Sequence, residues 1–226
     1  MKPIIVSENE PITLVGGARV SQELFSLAHG LGSRIIAADS GAKTVLDFGQ
    51  IPDKVIGDLD SLPSAARTSI DSSRIIAVSE QDSTDFDKVL MRVEAPIFIG
   101  VGFLGDRIDH ELAALSSLVR FAHKRIILVG EEDAIFSLPP RFQMDFPMDE
   151  RVSLFPLSQC RVSSRGLYWP TDGLDFDPMS QIGTSNKSTG ALTLKADKAG
   201  MLVILPVAYL HDITQALRLS PTWPHP

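Results

Sequence analysis

Asp58 and Asp60 stand two residues apart just beyond a short apolar run, Lys54-Val55-Ile56, from which Gly57 separates them. The run reads as a buried strand that the glycine ends. In an extended backbone, side chains at i and i+2 point the same way, so both carboxylates would leave the strand end together. Two anions so placed repel unless a cation lies between them. A hard divalent ion suits the position, because Mg²⁺ is typically held by one or two carboxylates together with substrate phosphates. The same five residues, Gly57 to Ser61, also have the composition of an ordinary turn, and Asp is a good helix cap. The residues further along the chain decide between a turn and a metal site.

Gln81-Asp82-Ser83-Thr84-Asp85-Phe86-Asp87-Lys88 opens a predicted helix. Asp82 or Ser83 can cap it, and acidic residues in a first turn offset the helix dipole. Capping does not require Thr84, Asp85 and Lys88 together. Thr84 and Lys88, four apart, share a face and can meet an anion near the helix start, which leaves Asp85 as a third carboxylate for a metal. Further on, Gly100-Val101-Gly102-Phe103-Leu104-Gly105-Asp106-Arg107-Ile108-Asp109-His110 runs from a strand into a helix. Such a glycine-rich turn can cradle phosphate with backbone N–H groups, and Arg107 can add a bidentate contact. Its spacing is neither the Walker nor the dinucleotide fingerprint. His110 also reads as a satisfied histidine at a helix start. In the second half, Trp169-Pro170 and Gly183-Thr184-Ser185-Asn186 stand out. A Trp in a small β domain is usually core, and a polar tetrapeptide is usually a turn, so residue type alone assigns neither a role.

The elements that must position these groups alternate. Ile12 to Val15 reads as a strand running into Gly16-Gly17, and Ser21 caps a helix to His29. Arg34 to Ala38 is the next strand, ending on Asp39-Ser40-Gly41-Ala42, with a short helix to Phe48. Arg74 to Val78, Pro96 to Val101 and Arg125 to Val129 read as strands; Thr84 to Val93 and Ile108 to His123 read as helices. Strands alternating with helices predict a mainly parallel, Rossmann-like sheet flanked by helices. Ligands bind such sheets beyond the carboxyl ends of the strands, where Asp39, Asp58, Asp60 and Gly105-Asp106-Arg107 would all lie. After about Asp133 the helical period disappears. Short runs punctuated by Pro, Gly and Ser predict an all-β sandwich. The expected division is an α/β domain over 1–135 and a β-sandwich over 145–226, with the boundary between 134 and 149. The last residues, Pro221 to Pro226, contain three prolines and read as an extended tail.

Composition bounds the function. A net charge of −7 excludes the basic footprint of a nucleic-acid binder. It leaves open a phosphorylated ligand whose metal ion supplies local positive charge. The single cysteine, Cys160, rules out an internal disulfide and suits a reducing cytosol. Met1 to Glu10 lacks a signal-peptide core, and the longest apolar run, Met201 to Leu210, is half a membrane span and is broken by Pro206. The expectation is a soluble cytoplasmic protein with neither nucleic acid nor membrane as partner.

Taken in order, the motifs resemble the thiamin pyrophosphokinase family. Asp39-Ser40-Gly41-Ala42 is similar to the family's Asp-Gly-Gly-Ala, and Gly57 to Ser61 to its Gly-Asp-Phe/Leu-Asp-Ser. Thr84-Asp85-Phe86-Asp87-Lys88 matches Thr-Asp-x-x-Lys, and Arg107-Ile108-Asp109-His110 matches Arg-x-Asp-His. Gly166 to Pro170 matches Gly-Leu-x-Trp-Pro, and Gly183 to Asn186 loosely matches Ser-Thr/Ser-Ser-Asn. The resemblance spans about residues 12 to 205. It implies pyrophosphoryl transfer from ATP to thiamin, with Asp58, Asp60 and Asp85 holding Mg²⁺. One of these carboxylates, or Asp39, would accept the hydroxyl proton. Gln81, Thr84, Lys88, Arg107, Asp109 and His110 would bind ATP; Trp169 would stack on thiamin, with Thr184, Ser185 and Asn186 lining its pocket. A homodimer with sites built from both chains is implied as well. Three positions depart from the pattern. Ser40 replaces a Gly and would crowd the nucleotide, Asp106 replaces a Gly and would place a carboxylate near the phosphates, and Gly183 replaces a Ser and would remove a hydroxyl from the thiamin pocket. These leave two rivals: a pyrophosphokinase for another small alcohol, and a non-catalytic nucleotide-binding regulator on the same scaffold.

Overall fold

Four runs of β-branched and aliphatic residues form the parallel core of the first part of the chain. The computed structural model describes residues 2–225; Met1 and Pro226, the outer ends of the expected first domain and tail, lie outside the described residues. The elements of this part are β1 (Val6–Ser7), β2 (Ile12–Val15), α1 (Gln22–His29), β3 (Arg34–Ala38), α2 (Gly41–Asp47), β4 (Lys54–Gly57), α3 (Ser64–Ser69), β5 (Ile75–Ala77), α4 (Asp85–Leu90), β6 (Val93–Glu94), β7 (Phe98–Val101), α5 (Ile108–Arg120) and β8 (Ile126–Val129). Contacts divide the chain into two units, 1–117 with 128–131, and 118–127 with 132–226.

In the first unit, β2 pairs in parallel with β3 on one side and β7 on the other, and β3, β4 and β5 continue the sheet. Strands buried on both faces read as continuous apolar runs, and β2 and β7 are buried at every residue. Each fully buried Ile or Val in them contributes about 1.5–3 kcal/mol from area removed from water. The chain moves outward from β2 through β3, β4 and β5, then returns to its other flank with β7. That reversal is a topological switch point, where the loops leaving neighbouring strands part and open a crevice.

Local chemistry sets the helix starts. Ser21 is extended (φ −72°, ψ 155°) and its hydroxyl accepts the Leu24 N–H, so α1 begins where expected. The cap of α4 is neither Asp82 nor Ser83 but Thr84, whose hydroxyl accepts the Asp87 N–H at 3.1 Å. The helix also ends at Leu90 and not Val93. Val93 and Glu94 are taken instead by a parallel pairing with Val6 and Ser7.

The second unit is antiparallel throughout. Its strands are β9 (Asp133–Ser137), β10 (Arg141–Met144), β11 (Met148–Pro156), β12 (Cys160–Leu167), β13 (Asp175–Phe176), β14 (Gly183–Ala196) and β15 (Met201–Pro206), followed by α6 (Leu210–Leu219). The long β14 has three partners: β11 along its first half, β10 along its second, and β12 across both. Gly190, at φ 121°, lies where the partners change. The polar tetrapeptide Gly183 to Asn186 is therefore the start of a strand and not a free turn. It carries a bulge, because three residues of β11 (Val152 to Leu154) face four of β14 (Asn186 to Gly183), with Ser185 at φ 62°.

The unit is not all-β. Leu210, Ile213, Thr214, Ala216 and Leu217 are buried at helical spacing, and α6 packs on β10. Cys160 is a buried free thiol, pushed up to about 11 by that burial. Residues 221–225 have no regular structure, and the Trp223 indole N–H donates to the Leu138 carbonyl at 2.9 Å. Among the described residues, no helix is long and apolar enough to cross a membrane.

Candidate active site

A cleft of about 520 Å³ opens at the carboxyl ends of β2, β3 and β7. Its floor is Gly16-Gly17 after β2 and Gly102 after β7, and the two loops touch. A Cβ at Gly16 would overlap the Gly102 carbonyl, and Ala18 donates its N–H to the same carbonyl at 2.9 Å. Glycine is required here by close approach of backbone to backbone.

Asp39 and Asp58 line one wall, and Asp60 is gathered with them: a carboxylate oxygen of each of the three lies within 4.8 Å of the other two. Asp58 and Asp60 converge, though not through extended backbone: Leu59 between them is left-handed at φ 67°, and Asp58 Oδ1 accepts the Asp60 N–H at 3.4 Å. Asp39 is also at positive φ, 42°. A non-glycine residue in that region costs about 1–3 kcal/mol, and such strain gathers at functional sites.

Asp39 is 2% exposed. One of its oxygens accepts the Ser61 N–H at 3.2 Å, and the other is buried with no hydrogen-bond partner. Burial, and then the nearby charge of Asp85, push its carboxyl above the usual range.

Lys88 is the cation of this wall. Its side chain is 2% exposed, and its ammonium sits 2.8 Å from Asp58 Oδ2 and 2.9 Å from Asp85 Oδ1. Burial works against the ammonium, but the two carboxylates outweigh it and the pKa is raised. The hydrogen bond from Lys88 in turn holds the Asp58 carboxyl below the usual range. Thus Lys88, expected on a phosphate, is shared between two carboxylates, and Asp85 faces Lys88. A Cβ on Gly57 would press on Asp39 Cβ at 2.8 Å and on Asp85 Oδ1 at 3.2 Å, so only glycine leaves room for both acids. Gln81 reaches Asp58 Oδ2 at 3.4 Å.

The opposite wall is more open. Arg107, with its side chain 67% exposed, makes a two-bond pair with Asp109, at 3.1 Å and 2.6 Å. That pairing holds the Asp109 carboxyl below the usual range. His110 stands in the first turn of α5, as expected of a histidine at a helix start, and is exposed and lines the cleft. The Gly105 N–H, expected on phosphate, donates to Glu111 at 2.8 Å. Sequence reasoning missed Gly16-Gly17 as the floor. It also missed Ser83, which lines the cleft with its hydroxyl oxygen buried and unpartnered. The signal for the first was the glycine pair ending a strand; for Ser83 there was none beyond its place before the cap.

Two departures from the family pattern are accommodated in this unit. The Ser40 hydroxyl lies where a Cβ on Gly17 would be, so Gly17 makes the room that position 40 does not. Asp106 is turned toward Arg19, accepting its N–H at 2.9 Å and pairing with its guanidinium at 3.2 Å.

In the second unit, Trp169 is 55% exposed and its ring meets the 64%-exposed Tyr168 edge-on, with centroids 4.8 Å apart. It is not core. Thr184 and Ser185 are exposed; Asn186 is buried and bonded to the backbone of Trp169. A Cβ on Gly183 would meet Phe176 at 3.1 Å and Leu154 at 3.3 Å, so that position faces packed side chains.

A parallel sheet with a glycine-floored crevice at its switch point, beside which three carboxylates converge, is the architecture of α/β proteins that bind ligands beyond the strand ends. Comparison narrows the class. A family model described as thiamin pyrophosphokinase, catalytic domain, matches residues 31–129. The thiamine pyrophosphokinase of Bacillus subtilis (strain 168) is 30% identical over 183 residues, covering 75% of this chain and 85% of that protein. Thiamine pyrophosphokinase 1 of Oryza sativa subsp. japonica is 27% identical over 185 residues, covering 67% of this chain and 70% of that one. Among solved structures, thiamin pyrophosphokinase from Candida albicans superposes with a TM-score of 0.76 at 17% identity, over 89% of this chain and 92% of that one. The Bacillus subtilis enzyme gives 0.70 at 23%, over 87% and 98%. These two likenesses establish the fold, a mixed α/β architecture with a large sheet. The chain belongs to the thiamin pyrophosphokinase family.

Proposed function

We propose that this chain is the enzyme that moves the pyrophosphoryl group of ATP to the hydroxyl of thiamin, giving thiamin diphosphate and AMP. The observation that carries the reading is the buried Asp39 carboxylate, one oxygen unpartnered, gathered with Asp58 and Asp60 at the end of the sheet. Residues 1–135 act as a Rossmann-like nucleotide domain and 145–226 as a β-sandwich for the acceptor. Three hard oxygen donors within 4.8 Å of one another fit a small divalent cation such as Mg²⁺, with Asp85 the next carboxylate in line. When bound, the ion offsets charge on the phosphate oxygens.

The chain's own residues do the rest. Thr84, Gln81, Lys88, Arg107, Asp109 and His110 position the nucleotide; Trp169 stacks on the thiamin ring system beside Thr184 and Ser185. The thiamin hydroxyl oxygen bonds to the β-phosphorus of ATP, the bond from that phosphorus to its bridge with the α-phosphate breaks, and AMP leaves with the electron pair. One of Asp39, Asp58, Asp60 and Asp85 takes the hydroxyl proton. Such transfers depend on positioning and charge neutralisation more than on covalent catalysis. The active species is a cytoplasmic homodimer whose sites draw on both chains.

The test is a coupled AMP-release assay with ATP, Mg²⁺ and a panel of small alcohols. AMP release with thiamin well above every other alcohol is the expected result; faster release with another alcohol, or none with any, overturns the reading.

A further inference from the structure

Trp169 sits just past the point where β12 stops pairing with β14. Leu167 is the last residue of that ladder, opposite Ser188, and the Tyr168 N–H still donates to the Lys187 carbonyl at 2.8 Å. At Trp169 a side chain takes over from the backbone. Asn186 Oδ1 accepts the N–H of Trp169 at 3.1 Å and that of Lys187 at 2.8 Å, while its Nδ2 donates to the Trp169 carbonyl at 2.7 Å. One amide thus offers Trp169 the donor and the acceptor that a neighbouring strand would have offered.

The far side of Trp169 is fixed too. Pro170 keeps Trp169 out of the helical region. The Thr171 N–H donates to Ser164 Oγ at 2.9 Å, and the Thr171 hydroxyl donates to the Val162 carbonyl at 2.7 Å. The result is a backbone held on both sides beneath an exposed indole. Asn186 itself is buried, with both oxygen lone pairs and one N–H already committed, so it has little to offer a ligand directly.

We propose that Asn186 is a positioning residue: by bonding both backbone groups of Trp169 it holds the exposed indole as a preformed stacking face for a flat, ring-bearing acceptor. This rests on the reading that Trp169 stacks on the acceptor. An exposed aromatic binds more tightly when its ordering precedes binding.

The experiment uses the full chain in a Trp223→Phe background, which leaves Trp169 as the one tryptophan. Asn186→Ala should raise the acceptor KM about two- to tenfold, the loss expected when a side chain must be ordered on binding. The values of kcat and the ATP KM should stay within about twofold, and the Trp169 anisotropy decay should gain a fast component. In a Trp169→Ala chain the same substitution should add nothing further, since it acts through the indole. A full additional rise in that chain, or unchanged Trp169 mobility, overturns the proposal. If Asn186→Ala does not fold, Asn186→Ser takes its place. If Trp169→Ala leaves the acceptor KM unchanged, the stacking reading falls, and the proposal with it; the mobility measurement still shows separately whether Asn186 fixes the ring.

Discussion

The carboxylate wall of the cleft and the aromatic face of the second unit solve opposite problems. At the wall, charge is left unbalanced: Asp39 has an unpartnered buried oxygen, Leu59 and Asp39 sit in left-handed backbone, and one ammonium serves two carboxylates. At the aromatic face nearly everything is satisfied, and what is exposed is a ring whose backbone is held on both sides. A site for cations and phosphates is ready when its own charges are incomplete, because the ligand completes them. A site for a flat organic ring is ready when it is already rigid, because the ligand contributes little beyond surface.

The largest break in this contrast should come from Asp60→Asn. Removing a ligand for charge neutralisation is worth several kcal/mol, so turnover should fall by about a hundredfold or more at saturating Mg²⁺ with the fold intact. AMP release within a few-fold of wild type would remove Asp60 from the site. Next, Lys88→Met deletes the ammonium between Asp58 and Asp85 and should lower the stability of the metal-free protein by about 2–4 kcal/mol. Both carboxylates are partly solvated, which keeps the loss toward the low end of the cost of breaking a buried pair. Denaturation with and without Mg²⁺ checks this: the ion should restore much of the difference, and a loss untouched by Mg²⁺ would show the lysine to be purely structural.

Trp169→Ala should act the other way round. It should raise the acceptor KM about tenfold, as for an aromatic contact worth 1–1.5 kcal/mol, and leave the melting temperature nearly unchanged. A melting loss of the size expected for a buried Trp would contradict its exposure. The smallest effect concerns Asp39. Its folded pKa is raised, so its contribution to stability is fully present below the ordinary carboxylate value of 3.8 and is lost as pH rises through the folded pKa. Asp39→Asn, which cannot ionise, should therefore melt slightly above wild type near neutral pH without divalent cations, and coincide with it in strong acid. Melting curves across that range decide; a variant less stable at every pH would mean that the charge is not a liability.

Much of the architecture was legible because buried parallel strands are short apolar runs ending on glycine, as in Ile12 to Val15 and Lys54 to Gly57. The residues of the acidic wall were legible from type and spacing. Their partnerships were not. That Lys88 would join Asp58 to Asp85 depends on α4 lying beside β4, a tertiary fact absent from Thr84 to Lys88 alone. The convergence of Asp58 and Asp60 was expected for the wrong local reason, extended backbone, where a left-handed Leu59 does it. In the second unit, α6 was overlooked although Leu210, Ile213, Thr214 and Leu217 are spaced as a helix face, because the preceding strands set the expectation. Asn186 was placed in the acceptor pocket by resemblance, but its hold on the Trp169 backbone was not legible: an asparagine that bonds backbone seventeen residues away looks in sequence like any other polar residue of a turn.

The three-partner strand β14 has a consequence for how the protein is made. Strands β10, β11 and β12 all precede it in the chain and all pair with it, so none of those ladders can close until residues 183–196 have been synthesised. Synthesis runs at roughly 5–20 residues per second, and N-terminal segments generally fold first. The strands β2, β3, β4, β5 and β7 are complete by Val101, so the glycine floor and the carboxylate wall are assembled while the aromatic face is still unwritten. A chain halted before Gly183 would thus carry the acidic cleft without the ladder that carries Trp169, and with three unpaired strand edges prone to association.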